Sequence, residues 1–335
     1  MRPNTAPTRF PLLPEVRSGE TADVYFLRTR DALRSLGLDP RVGMTVFPGR
    51  PVRCFCGLAQ VVDLLTGAGF DGELWAVDEG KPLERGEAAI HIFGRYSSFG
   101  VYETAMLGIL ASSSAWASAA AETVEAAGDV PVVSFGARHV HPNVSGIMDY
   151  AAVVGGCVSC STPLGAALAG REPSGTMPHA YVLIVGDTVR AAEAFDRAMP
   201  DDVPRIVLVD TFQDEAVESV RVAGALGDHL QGVRLDTPSE RGGVTPGLVH
   251  EVRARLDLAG WSHVQIAISG GVNPERIRRF REAAAPIDNY GVGSYITGAS
   301  PIDYTADIRE IEGHPVSKRG RIPGMRRSER LRRIL

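Results

Sequence analysis

Five stretches of the chain each read as a short apolar run that ends in polar or glycine-bearing residues. They are PVVSFGARHVHP from Pro131, RIVLVDTFQDE from Arg205, GVRLDTPSERGG from Gly232, VQIAISGGVNPE from Val264 and IDNYGVGSYI from Ile287. Their polar ends are of three chemical kinds. Arg138 offers a guanidinium, Asp210 and Asp236 offer carboxylates, and Ser269-Gly270-Gly271 and Gly291-Val292-Gly293-Ser294 offer approachable backbone N–H groups. A guanidinium grips an organic anion bidentately. Glycine-bearing turns at the start of a helix bind phosphate. The set suits a ligand that carries phosphates, a metal ion and an organic anion.

These residues can act together only if one architecture brings them together. In a β/α barrel the strands are parallel and their C-terminal ends share one face. From Pro131 to about residue 299 strands and helical segments alternate, which predicts a parallel sheet with right-handed crossovers. Only five strands are clear, and Cys157–Ala169 and Met177–Met199 read as mainly helical. The predicted barrel is therefore irregular and open.

Around it, residues 15–36 read as helical, with Ser18 as a plausible N-cap, and 41–96 as short strands with turns in a small antiparallel sheet. Tyr102–Ala127 reads as one long helix stopped by Gly128-Asp129. After Pro301, DIREIEGHPVSKRGRI alternates again, with a turn at Glu312-Gly313, and is expected to return to the first sheet. The predicted organisation is α/β: an N-terminal α/β-sandwich domain over 1–120, completed by 301–335, and an irregular open β/α barrel over 121–300.

The chain has 335 residues, 44% hydrophobic and 22% charged, with a formal net charge of −5. That is the composition of a soluble globular protein. No broad basic field favours nucleic acid, although Lys318–Leu335 is arginine-rich. Residues 1–14 lack an apolar signal core, so a cytoplasmic location is expected. Ala105–Ala127 is alanine- and serine-rich and reads as a buried helix rather than a membrane span. Cys54, Cys56, Cys157 and Cys160 sit in small apolar surroundings and read as buried thiols rather than zinc ligands. His139 and His141 share a strand face but lack a third ligand, so no metal site is assigned.

SGTMPHA (174–180), FGARHVHP (135–142), ISGGVNPERI (268–277) and NYGVGSYI (289–296) together resemble the nicotinate phosphoribosyltransferase family, particularly its short archaeal and bacterial form. VDTFQDE, RLDTPSERG, YETAMLGIL and VSKRGRIPG extend the resemblance from about Ser18 to Gly324. It implies the type II phosphoribosyltransferase fold. It also implies a homodimer with shared active sites, with a higher oligomer as a further possibility. The implied reaction joins nicotinate to phosphoribosyl pyrophosphate, giving nicotinate mononucleotide and pyrophosphate for NAD synthesis. Mg²⁺ is the implied cofactor, and ATP a co-substrate in forms classed as ligases. Alternatives are a sister enzyme for nicotinamide or quinolinate, or a non-catalytic nucleotide-binding regulator. The RKTTPG motif expected of quinolinate enzymes is absent.

The reaction builds positive charge on ribose and negative charge on pyrophosphate, so carboxylates belong near the first and cations near the second. The resemblance places His179 where coupled members carry a phosphorylated histidine. Asp210 and Asp236 are the expected catalytic carboxylates; each could instead cap the following helix. Arg138 is the expected anchor of the nicotinate carboxylate. His139 stands where the family often has a second arginine, which opens the question of pH dependence. Ser174 and Thr176 are expected to line the base pocket, and Tyr25 to stack on the pyridine ring from a neighbouring subunit. Arg234 is expected to add positive charge there, with a structural role as the competing reading. Ser269, Gly270, Gly271, Gly291, Gly293 and Ser294 are expected to hold the 5′-phosphate. Lys318, Arg319 and Arg321 fit either pyrophosphate contact or a solvated face.

Overall fold

The computed structural model describes residues 9–326 and 328–335. Its strands, in chain order, are β1 (Arg41–Pro48), β2 (Gly72–Ala76), β3 (Ile90–Arg95), β4 (Val132–Ser134), β5 (Ser159–Cys160), β6 (Ile206–Leu208), β7 (Gly232–Leu235), β8 (Gln265–Ile268), β9 (Asn289–Val292), β10 (Tyr304–Ile311), β11 (His314–Pro315) and β12 (Arg332–Arg333). The chain divides into two compact units. Among the described residues, one comprises 9–121 together with Tyr150–Gly155 and 298–335; the other comprises Glu122–Asp149 and Gly156–Thr297.

The first unit is built on an antiparallel sheet of order β11-β10-β1-β3-β2-β12. Met44, Val46, Leu74, Ile90 and Ile92 pack in one cluster with Leu64 and Leu65 of helix Leu58–Gly67 and Met106 and Leu110 of helix Glu103–Ala127. β1 is buried from Val42 to Pro48. The C-terminal segment covers it: Thr45 donates to Met325 Sδ, His91 Nε2 meets Arg326 O at 3.0 Å, and the Arg321 guanidinium lies over the Phe47 ring. A strand covered on both faces has no need of polar alternation.

The expected hairpin forms as β10–β11. Glu312 and Gly313 take φ of 49° and 76°, the left-handed pair that suits a two-residue turn. Lys318 and Arg321 pair with the buried Asp307 at 3.3 and 2.7 Å. The arginine-rich tail forms edge strand β12 against β2, held by Arg330–Glu87, Arg332–Asp78 and Arg333–Glu73 pairs.

Two expectations for this unit need correction. Residues 15–36 form two helices, Pro14–Ser18 and Val24–Ser35; Ser18 closes the first, and Asp23 precedes the second. The 41–96 region also contains helix Leu58–Gly67, whose apolar residues 58, 61, 62 and 65 follow a helical period.

The second unit is an open, curled half-barrel with six parallel strands in the order β5-β4-β9-β8-β7-β6. Val132, Val133, Val207, Leu208, Val233, Leu235, Ile266, Ile268, Tyr290 and Val292 are buried along it. Run lengths of two to four residues between helices suit a sheet covered on both faces. The sixth strand is β5, within a stretch read from sequence as mainly helical. Two residues are too few to show any period. No helix among the described residues is long and apolar enough to cross a membrane. All four cysteines are buried and free, and burial pushes the Cys54, Cys157 and Cys160 thiols up to about 12.

Candidate active site

The strand ends of the half-barrel meet in a cleft of about 680 Å³. Arg138, His139, Thr176, His179, Arg234, Asp236, Ser269, Gly270, Gly271, Gly291, Gly293 and Ser294 line it. Five stretches far apart in sequence therefore present their polar ends to one space.

β7 supplies the floor. Along a strand, residues two apart share a face, so Arg234 and Asp236 both enter the cleft while Val233 and Leu235 are buried on the other side. Arg234 Nη1 donates to Thr176 Oγ1 at 2.5 Å, and its Nη2 lies 3.8 Å from Asp236 Oδ2. Its Nε is buried without a partner. Burial pulls the guanidinium below its ordinary range, opposed by the charges of Asp236 and Asp210. A buried donor without an acceptor costs free energy until a ligand accepts from it.

Asp210 follows β6. Its side chain is 2% exposed, and it lies behind His179, whose Nε2 stands 3.0 Å from Oδ2 and 3.1 Å from Oδ1. His179 opens helix His179–Val185 and is 38% exposed. The hydrogen bond to Asp210 raises its imidazole above the usual range; burial opposes this, the charges of Asp210 and Asp236 assist it, and Arg234 opposes it. The competing helix-cap role belongs to Asp214, whose side chain accepts from Ala216 N and Val217 N. Asp210 and Asp236 instead face His179 and Arg234.

β8 and β9 end in the two glycine turns. Gly270 and Gly271 have φ of +81° and +63°, and helix Pro274–Glu282 follows with Asn273 as its cap. Ser269 Oγ is buried and unpartnered at the cleft wall. At the second turn, a Cβ on Gly291 would lie 2.5 Å from the Phe135 ring, and one on Gly293 would lie 2.9 Å from the His139 ring. Glycine there lets the β4 loop pack against the turn. His139 thus lies beside the second glycine turn.

Arg138 lines the cleft from an exposed 3₁₀ turn, Ala137–His139. Ser174 is not among the lining residues; its N–H donates to Cys160 O at 2.8 Å. Tyr25 belongs to the first unit, 56% exposed on helix Val24–Ser35. Phe135, Ser161 and Met177 also line the cleft and were not singled out from sequence. Phe135 and Met177 lie inside motifs already recognised, and Ser161 follows the overlooked β5. Among the described residues, no cluster of three or more His, Cys, Asp or Glu is arranged to hold a metal ion.

A parallel half-barrel with glycine turns on two of its strands, joined in one chain to an antiparallel sheet unit, is the architecture of type II phosphoribosyltransferases. The C-terminal domain of quinolinate phosphoribosyl transferase matches residues 116–307, and its N-terminal domain matches residues 23–114. The chain belongs to this family.

The nicotinate phosphoribosyltransferase pncB2 of Mycobacterium tuberculosis is 33% identical over 263 residues, 76% of this chain and 55% of the relative. The chain thus spans about half the length of that relative. The crystal structure of nicotinate-nucleotide pyrophosphorylase from Pyrococcus furiosus is 40% identical and superimposes with a TM-score of 0.84, covering 97% of this chain and 82% of that one. Human nicotinic acid phosphoribosyltransferase, at 16% identity and a TM-score of 0.69 over 90% of this chain and 77% of that one, shares the fold.

Proposed function

We propose that the chain transfers a phosphoribosyl group from phosphoribosyl pyrophosphate to nicotinate, giving nicotinate mononucleotide and pyrophosphate for NAD synthesis. The observation that carries this reading is Arg234: a buried guanidinium at the cleft floor whose Nε lacks an acceptor. A pyridine carboxylate supplies that acceptor in a flat, bidentate form. Arg138 adds a second guanidinium at the exposed rim. Tyr25 is assigned to the ring face, from a second copy of the chain.

The 5′-phosphate is assigned to the paired turns at Ser269–Gly271 and Gly291–Ser294. The pyridine nitrogen attacks ribose C1 as the C1–O bond to pyrophosphate breaks, and the electron pair of that bond leaves with pyrophosphate. Asp236 offsets the positive charge that develops on the ribose, where a fixed carboxylate acts most strongly. His179, raised by Asp210, places a proton and positive charge beside the departing pyrophosphate. Its Nε2 is engaged by Asp210; in the neutral ring the lone pair of Nδ1 can attack the γ-phosphorus of ATP with ADP as the leaving group, a step closed to the protonated ring. Mg²⁺ is assigned as the counter-ion of the pyrophosphate substrate.

Quinolinate is the second reading, favoured by the family whose domains match the chain. It carries two carboxylates and must lose one as carbon dioxide. Among the described residues the cleft lining holds two guanidiniums, those of Arg138 and Arg234, and no lysine. That lining suits a single carboxylate. The test is product identification after incubation with phosphoribosyl pyrophosphate, Mg²⁺ and nicotinate. Nicotinate mononucleotide with equimolar pyrophosphate is expected; absence of any nucleotide product would overturn the reading.

A further inference from the structure

Arg276 joins the first phosphate turn to the loop that follows Asp236. It sits in the first turn of helix Pro274–Glu282, where its N–H donates to the Asn273 side chain at 2.9 Å. Its Nη1 donates to Gly270 O at 2.5 Å and its Nη2 to Val244 O at 3.1 Å. The 237–244 loop is anchored at its other end by Glu215, which accepts from Thr237 Oγ1 at 2.7 Å and lies 3.6 Å from Arg241 Nη2.

The bond to Gly270 O matters because of what shares its peptide plane. In a trans peptide the C=O and the next N–H point in opposite directions. Holding Gly270 O against Arg276 therefore aims the Gly271 N–H the other way. The peptide lies between two glycines, both at positive φ, and glycine offers little steric resistance to rotation. Flipped, it would present a carbonyl dipole to the ligand, which repels an anion.

We propose that Arg276 is a positioning residue for the phosphate grip: it locks the Gly270–Gly271 peptide with its N–H toward the cleft and ties that turn to the Asp236 loop. The inference rests on the assignment of the phosphate to this turn, and the experiment separates the two. Ribose 5-phosphate is titrated into the full chain while the Gly271 amide is followed by NMR and the affinity by calorimetry. Arg276→Met is expected to weaken binding about tenfold, the scale of one hydrogen bond to a charged group. Arg276→Lys, able to keep a bond to Gly270 O, should recover part of it. In turnover assays the KM for phosphoribosyl pyrophosphate should rise while that for nicotinate stays unchanged. A Gly271 amide that does not respond in the wild-type chain overturns the phosphate assignment and the inference with it. A Gly271 response together with wild-type affinity in Arg276→Met overturns the inference alone. So does a variant of lowered melting temperature whose KM for phosphoribosyl pyrophosphate is unchanged.

Discussion

The carboxylate of Asp236 occupies the space that a side chain on Gly270 would need: an ideal Cβ there would lie 2.6 Å from Asp236 Oδ1. The first glycine turn and the Asp236 carboxylate are thus built against each other. Gly270 also has φ of +81°, a conformation that costs an L-residue about 1–2 kcal/mol. Gly270→Ala is expected to lower the unfolding free energy by at least that amount and to depress turnover, because Asp236 must move. Denaturant melts and turnover assays on one preparation check both effects; unchanged turnover would show that Asp236 is not held by the turn.

Asp236→Ala should lower turnover by about 10²-fold, the scale of one fixed group acting on transition-state charge. Binding of the product nucleotide should change far less, because the developing charge exists only in the transition state. Turnover and calorimetric affinity for nicotinate mononucleotide decide the matter. Equal losses in both would contradict the role.

Arg234→Met should raise the KM for nicotinate about 10- to 100-fold, the range for losing hydrogen bonds from a charged group. Arg138→Ala should raise the same constant by less, since Arg138 lies at the exposed rim. Steady-state kinetics with nicotinate varied at saturating phosphoribosyl pyrophosphate checks this. A larger effect at Arg138 would move the carboxylate to the rim.

His179 carries a pH signature. Its imidazole is raised in the folded chain, first by the hydrogen bond to Asp210. A raised folded value means that the stabilisation is fully present below the unfolded value, about 6.5 for histidine, and is lost as pH rises through the folded value. His179→Gln should therefore show its greatest destabilisation on the acid side, and the gap to wild type should narrow as pH rises. Chemical melts across that window test this. A pH-independent gap would mean that His179 is not protonated against Asp210.

The half-barrel was legible because its strands are short, apolar and punctuated. Asp236 and the two glycine turns each stand at the end of such a run, so their convergence followed from parallel topology alone, whereas Asp210, also at a run's end, stands behind His179 and outside the cleft lining. β5 was not legible, because two residues carry no period. Helix Leu58–Gly67 carried a period that was overlooked among neighbouring strands. Arg138 stood out in sequence because its motif is distinctive. The priority of Arg234 emerged only from its burial and its unpartnered Nε, which depend on tertiary packing. The setting of His139 was not legible for the same reason: the structure sets its ring against Gly293, a contact between segments about 150 residues apart.

The most direct test of the central claim offers the chain equimolar nicotinate and quinolinate with phosphoribosyl pyrophosphate and Mg²⁺, with and without ATP. Both bases yield nicotinate mononucleotide, but only quinolinate releases carbon dioxide. Nucleotide formation with one pyrophosphate per product and little carbon dioxide is expected. Carbon dioxide equal to nucleotide would contradict the nicotinate reading and assign the cleft to quinolinate.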